Sequence, residues 1–400
     1  MSRPKVAIVV AQFDPASGYW ESALAGELAR RCDLHVVTST SSCGDFPDPE
    51  GTRIDGKFLA GESEWAGASI HRLDPTFEVR ARIVAKGIGP LLASIGPDRL
   101  VASAPSQVLS LTGVLWAARR QVPHTYVSGE HVAQAPVGFK PGKATTSASA
   151  VYRRVVLDQI YRLATARADP IVAYTPDTYA RLERVVPRGM SVRLASLPVD
   201  RTVFCFSAAE RASVRQELGW SDDHVTLYVG KFDSRKNLPG LAAWWRKEVR
   251  SRLPRSRMVF VGQAATAASE KVAAAILREG GDGVEVASFQ PAERISLLYQ
   301  AADLGVYPAA TIGIQQALCT GLPVIIPTGS ELSHLPEILP SARILRASTS
   351  LTSGEAADVR ELDQILLPDE AGERGNRASS SRVFGIDAFA ELLVPELLDG

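Results

Sequence analysis

The densest group of chemically capable side chains in this sequence is the run Tyr228-Val229-Gly230-Lys231-Phe232-Asp233-Ser234-Arg235-Lys236-Asn237-Leu238. An apolar stretch ends at Gly230 and then delivers three cations within six residues, including two of the nine lysines of the chain. Cations at the exit of a parallel strand, just before a helix, suit a phosphate. A lysine supplies a point charge for a diphosphate, and free helical N–H groups add a favourable dipole. A solvated basic turn would show the same spacing, because charges often sit at strand ends. The second group runs from Pro308 to Ile325: Gly313 enters a short helix of small residues, Gly321 ends it, and Pro323 opens an apolar strand. Small residues let a backbone approach a ligand closely, and the amides of Gly313, Ile314 and Gln315 could cap an anion. Tight helix packing would select the same small residues.

The remaining candidates are isolated. His35 lies inside a strand pattern and His124 stands beside Pro123, positions that read as structural, while His71 carries no signal. Cys32, Cys43, Cys205 and Cys319 stand far apart without C-x-x-C spacing, so neither a zinc site nor a disulfide framework is indicated. Free thiols in a reducing, cytoplasmic setting are expected. Arg153, Arg154, Arg162 and Arg167 alternate with apolar residues such as Val156 and Leu163 in a basic amphipathic helix, a pattern that a solvated helix face also produces.

These side chains need strand ends to hold them, and the chain supplies two series. Val6 to Val10 is a continuous, mostly β-branched run, followed by a loop with Asp14 and Gly18, helical spacing from Glu21 to Arg31, and a second strand from Leu34 to Thr38. That unit is the signature of a doubly wound parallel sheet, with its first loop at the ligand edge. Strands expected at 68–72, 99–102, 125–128 and 171–174 extend it. The pattern breaks near Leu197-Pro198-Val199-Asp200, and a second alternating series starts at Val225 to Val229 and continues to Val324 to Ile326. Two domains are therefore expected, residues 1–200 and 201–382, as open α/β units facing each other across a cleft. Ala371 to Arg382, rich in Gly, Ser and Arg, reads as a mobile linker before a last apolar helix, Ile386 to Leu398, expected to pack back on the first domain within about residues 383–400. The Ser-rich stretch 143–150 reads as another mobile loop.

The composition excludes several classes. With 400 residues, 46% hydrophobic, 22% charged and 7% aromatic, the chain is ordinary globular material rather than disordered or fibrous. Lysine plus arginine equals aspartate plus glutamate, at 44 each, so no bulk charge would gather nucleic acid. The apolar run from Val6 to Ala11 is too short for a signal-peptide core, and no run approaches a membrane span. No G-x-G-x-x-G follows a strand, which argues against a nicotinamide dehydrogenase.

Taken in order, the two glycine-containing stretches resemble the C-terminal domain of the family 4 glycosyltransferases, the glycosyl transferases group 1 class, whose GT-B fold pairs two Rossmann-like domains. That family shows a strand, Gly-Arg, four intervening residues and Lys, and here Gly230-Lys231 and Lys236 stand at the same spacing. The resemblance extends over Val284 to Pro308, the N-terminal stretch Ser17 to Ser39 and Leu197 to Asp200; it is weak over Cys43 to Glu64 and beyond Ser341.

The resemblance implies a retaining, metal-independent transfer of a sugar from a nucleoside diphosphate donor, as co-substrate rather than cofactor, to a glycan, lipid-linked or small-molecule acceptor. Lys231 and Lys236 match the cations that neutralise the donor diphosphate, with Gly230, Gly313, Ile314 and Gln315 lining the donor side. Gln316 matches the second Glu of the family's paired-glutamate motif, which holds the ribose; the first has no counterpart, because Pro308 to Thr311 forms a shorter loop with no acid. Gly18 and Tyr19 match the loop facing phosphate and acceptor, and Glu130 with His131 lies about two residues from a cleft histidine of the family, a general base or positioning group that must reach its proton. In this family a basic amphipathic helix can approach a membrane bearing a lipid acceptor, and no nucleic acid partner is implied. The degenerate glutamate motif keeps a non-catalytic nucleotide-sugar binder open as an alternative, and a sugar-nucleotide epimerase as a further one.

Overall fold

The computed structural model describes residues 3–15, 20–42, 53–79, 82–103, 107–129, 158–262, 266–327, 332–347, 359–367 and 371–395. The chain divides into two compact units, Met1–Ser196 with Ile386–Gly400, and Leu197–Gly385.

The first unit opens with β1 (Lys5–Val9), the helix Trp20–Arg31 and β2 (Asp33–Ser39). Short strands β3 (Arg53–Ile54) and β4 (Lys57–Phe58) form a hairpin, β5 (Gly61–Trp65) pairs antiparallel with β6 (Ala68–Leu73), and β7 (Pro75–Val79) with β8 (Arg82–Ala85) makes a second hairpin. Strands β9 (Arg99–Ser103), β10 (His124–Ser128), β11 (Ala168–Ala173) and β12 (Val192–Leu194) complete an eight-stranded sheet of order β12-β11-β10-β9-β1-β2-β6-β5. Apart from β5, its strands are parallel. Val6, Ala7, Ile8 and Val9 are buried, as a central parallel strand covered on both faces requires. The chain winds from β1 toward β2 and then crosses to β9, so the strand order reverses between β1 and β9.

The second unit contains β13 (His224–Val229), β14 (Ser256–Val261), β15 (Val284–Ala287), β16 (Leu304–Val306), β17 (Val324–Pro327) and β18 (Ile344–Ala347), all parallel in the order β15-β14-β13-β16-β17-β18. Helices Leu238–Trp245, Ala267–Gly280, Ala292–Ala301 and Ile312–Cys319 connect them. Here the order reverses between β13 and β16, and in open α/β sheets such a reversal leaves a crevice outside the carboxyl ends of the strands.

The segment read as a linker is instead ordered secondary structure: a helix Ala371–Ser380 followed by a single 3-10 turn, Ser381–Phe384. The reason is not local. Arg374 is buried and donates to the carbonyls of Thr320 (3.0 Å), Ala302 (2.7 Å) and Tyr299 (2.6 Å). Arg377 donates to the Gly321 carbonyl at 3.1 and 3.2 Å. Arg374 thereby satisfies carbonyls at the C-terminal ends of two helices, Ala292–Ala301 and Ile312–Cys319, and Arg377 one just past the second, where the helix dipoles favour cations. Gly321 is required for this approach, because a Cβ there would lie 2.3 Å from the Arg374 carbonyl oxygen and its φ of +67° favours glycine. The last helix is Ile386–Leu393, shorter than its apolar pattern suggested. It belongs to the first unit, where Phe389 packs edge-on against Trp20 at 5.7 Å and the Leu393 carbonyl accepts from Thr125 Oγ1 at 2.6 Å.

Candidate donor site at the β13–β16 crevice

The apolar run of β13 is buried through Tyr228 and Val229 and ends at Gly230, whose N–H donates to the Val261 carbonyl of β14 at 3.0 Å. A Cβ at Gly230 would stand 2.7 Å from the Tyr228 hydroxyl and 3.4 Å from Lys236 Nζ, so only a hydrogen side chain lets the strand exit, the tyrosine and the lysine meet. Gly262, at the exit of β14, serves the same turn: a Cβ there would lie 2.2 Å from the Gly230 carbonyl oxygen.

After Gly230 the chain forms a 3-10 turn, Ser234–Lys236, capped by Asp233, which accepts from the Arg235 N–H at 2.9 Å. The Asp233 carboxylate also takes the Arg235 guanidinium, through Nε at 2.9 and 3.0 Å. The hydrogen bond from the Arg235 guanidinium holds this carboxyl below its usual range. Asn237 adopts the left-handed conformation (φ +44°) and caps the helix Leu238–Trp245 through the Gly240 N–H. Of the three cations, Arg235 is thus tied to its own turn. Lys231 stands exposed, and Lys236 is half-buried with its Nζ donating to the Tyr228 hydroxyl at 3.2 Å. Burial pushes the Lys236 ammonium below the usual lysine range; Asp233 opposes that shift, while Lys231 and Arg235 add to it.

Across the crevice, β16 is followed directly by Tyr307, and the chain turns through Thr311 into the helix Ile312–Cys319. Gly313 sits so close to the sheet that a Cβ would lie 2.8 Å from the Tyr299 hydroxyl and 3.2 Å from the Val229 carbonyl. Tyr307 donates to the Gly313 carbonyl at 3.0 Å, and its hydroxyl meets that of Tyr299 at 3.2 Å. The rings of Tyr228 and Tyr307 pack at 6.1 Å. The lysine turn and the glycine helix, some eighty residues apart in sequence, therefore flank one crevice over a shared floor of tyrosines. Within the helix, Gln315 is buried and Gln316 half-buried, and the Ile314 amide donates to the Thr311 carbonyl at 3.1 Å rather than pointing outward.

Tyr228, Tyr299, Tyr307 and Gly262 were not assigned a role from the sequence. A polar aromatic at the end of an otherwise aliphatic strand, as at Tyr228 and Tyr307, is the signal that points to them.

In the first unit, Gly18, Tyr19, Glu130 and His131 lie outside the described residues, as do residues 143–157. Glu21, in the first turn of the helix Trp20–Arg31, lies beside the reversal between β1 and β9, with Ser103 Oγ of β9 at 3.4 Å. Burial raises its carboxyl to about 7, against the hydrogen bonds from backbone and Ser103 that lower it. On the described part of the basic helix, Asp158–Thr165, Tyr161 faces inward while Arg162 and Leu163 are exposed. Among the described residues no helix is long and apolar enough to cross a membrane.

Residues 210–332 match the family described as glycosyl transferases group 1, a span that contains both sides of the crevice. No curated protein matches the sequence. Solved structures similar to the chain include a sucrose-phosphate synthase from Thermosynechococcus elongatus, with TM-score 0.67 and 16% identity over 99% of this chain and 98% of that one. HepE of Anabaena, solved in complex with UDP and glucose, gives TM-score 0.65 and 14% identity over 99% of this chain and all of the other. A trehalose-6-phosphate structure from E. coli, bound with UDP-2-fluoro glucose, gives 0.62 and 10% over 98% of each chain. The likeness covers both units, and identities this low speak to fold. Residues 210–332 thus match the glycosyl transferases group 1 family, within a chain of GT-B fold.

Proposed function

We propose that this protein is a retaining, metal-independent glycosyltransferase that moves a hexose from a nucleoside diphosphate donor to an acceptor hydroxyl. The observation that carries the reading is the meeting of Gly230-Lys231, Lys236 and the Gly313 helix at the strand-order reversal of the second unit, inside the span that matches the family. The donor diphosphate lies against the two lysines, which neutralise the charge that grows on it as the bond between the anomeric carbon and the phosphate oxygen breaks. The acceptor oxygen forms the new bond on the same face of the sugar, and its proton leaves with the departing diphosphate. The acceptor, a glycan, a lipid-linked sugar or a small molecule, belongs to the first unit, with Gly18, Tyr19, Glu130 and His131 as its contacts. The protein acts in the cytoplasm and approaches the membrane surface through its basic helix where the acceptor is lipid-linked. UDP and UDP-glucose, present in the similar structures, are the first donors to try.

The test is a thermal-shift screen against UDP, GDP, ADP, dTDP and their sugar conjugates, followed by release of nucleoside diphosphate with candidate acceptors; a ligand that binds only the folded state raises the melting temperature. Lys236→Ala should reduce turnover about a hundredfold while the variant stays folded. Unchanged turnover would remove Lys236 from the site. Treatment with a chelator should leave turnover intact; loss restored by a divalent cation would overturn metal independence.

One observation favours a second reading. Gln316 replaces a carboxylate and the loop Pro308 to Thr311 contains no acid, which weakens the hold on the donor. A non-catalytic binder would show the thermal shift without releasing nucleoside diphosphate with any acceptor.

A further inference from the structure

Tyr228 is fully buried at the end of β13, packed at 5.7 Å from Phe260 and 6.1 Å from Tyr307. A phenylalanine would fill that space, as Phe260 does on the neighbouring strand, without burying a hydroxyl that must then find partners. The hydroxyl makes its hydrogen bonds to the cationic turn: it donates to the Lys231 carbonyl and accepts from Lys236 Nζ, each at 3.2 Å. Among the described residues it makes none to the tyrosines beside it. Gly230 provides the space for this arrangement, its hydrogen facing the same hydroxyl and the same ammonium.

We propose that Tyr228 is a positioning residue for diphosphate binding: one buried hydroxyl fixes the Lys236 ammonium and, through the Lys231 carbonyl, the turn that carries Lys231. This rests on the nucleoside diphosphate reading above. A lysine ordinarily contributes a mobile charge on a flexible stem, and tethering it to a rigid strand end removes the ordering cost from the binding step. The groups facing the Lys236 ammonium are the Asp233 carboxylate, the Lys231 and Arg235 cations and the Tyr228 hydroxyl. Of these, Tyr228 accepts a hydrogen bond from the charged form and so favours it. Without that bond, burial and the two neighbouring cations deprotonate Lys236 at lower pH.

The experiment measures affinity for UDP, GDP, ADP and dTDP by calorimetry, then follows the tightest of them from about pH 7 to about pH 11, the range in which lysine titrates. In the wild type, affinity should fall on the alkaline side. Tyr228→Phe, which keeps the ring, should bind about tenfold more weakly at neutral pH and show its alkaline fall closer to neutrality. Tyr307→Phe removes a hydroxyl from the same cluster without touching Lys236, and should leave the position of that fall unchanged. Gly230→Ala, whose new methyl group presses on the Tyr228 hydroxyl, should move it in the same direction as Tyr228→Phe and gives the same answer if that variant folds poorly. If Tyr228→Phe and Gly230→Ala keep the wild-type alkaline fall while Lys236→Ala loses affinity, the positioning role is wrong and the diphosphate site stands. If the wild type binds none of the four nucleotides, the diphosphate reading itself fails.

Discussion

At Gly313 the whole effect lies in the missing methyl group. A Cβ there would meet the Tyr299 hydroxyl at 2.8 Å and the Val229 carbonyl at 3.2 Å, and the second of these is backbone that cannot swing aside. Gly313→Ala should therefore push the helix Ile312–Cys319 off β13 and cost about 1–3 kcal/mol, read as a lower melting temperature together with weaker nucleotide binding. Full stability in Gly313→Ala would mean that the helix has room that the distances deny. This glycine and Gly230-Lys231 could be singled out in the sequence, because cations and small residues packed into so few positions are unusual. The tyrosine floor was not. Tyr228 and Tyr307 become neighbours only once β13 pairs with β16, a register set by long-range packing that no local pattern carries.

Among the elements, the helix Ala371–Ser380 departs furthest from its composition. Glycine at two of its ten positions and a run of serines predict poor intrinsic helicity, and arginines three apart read as one solvated face. Its stability comes from the far ends of two other helices, Ala292–Ala301 and Ile312–Cys319, whose terminal carbonyls Arg374 and Arg377 fill. Arg374→Met keeps the bulk but strips three buried carbonyls of their donor, and we expect a loss of about 3 kcal/mol in urea unfolding. A similar latch joins the helix Ala208–Glu217 to β16. Arg211 and Arg215 (3.0 Å) pair with Asp303, which also accepts from the Val225 N–H at 2.8 Å. Burial raises the Asp303 pKa, but the two arginines, with His224 and the Val225 N–H, together outweigh it and the carboxyl ends below its usual range. Its contribution is therefore complete above the unfolded-state value of about 4 and is lost as pH falls through the lower folded value. Urea midpoints measured downward from about pH 5 should drop below about pH 4 in the wild type. In Asp303→Asn the drop should be smaller, from a baseline already destabilised by about 3 kcal/mol.

For the whole molecule, the alternation of strands and helices was legible for most of the way from β1 to β17 because parallel strands buried on both faces read as continuous apolar runs. What escaped were the edge strands β12 and β18 and the short strands β3 to β5 and β7 to β8, among which exposed positions such as Ile54 and Phe77 break the expected alternation. Removing residues 386–400 should destabilise the first unit alone, since Phe389, Leu393 and the Glu391 partner of Arg31 all belong to it. Calorimetry should then show one transition moved down and the other in place; two shifted transitions would contradict the division of the chain at Ser196 and Ile386. That division also bears on synthesis. Domains usually close in the order in which the ribosome delivers them, but here the first unit waits for Ile386–Leu393 and the second for Ala371–Ser380. Both cores stay incomplete until residues 371–393 have been made, so a nascent chain stalled anywhere before Arg374 has neither unit closed.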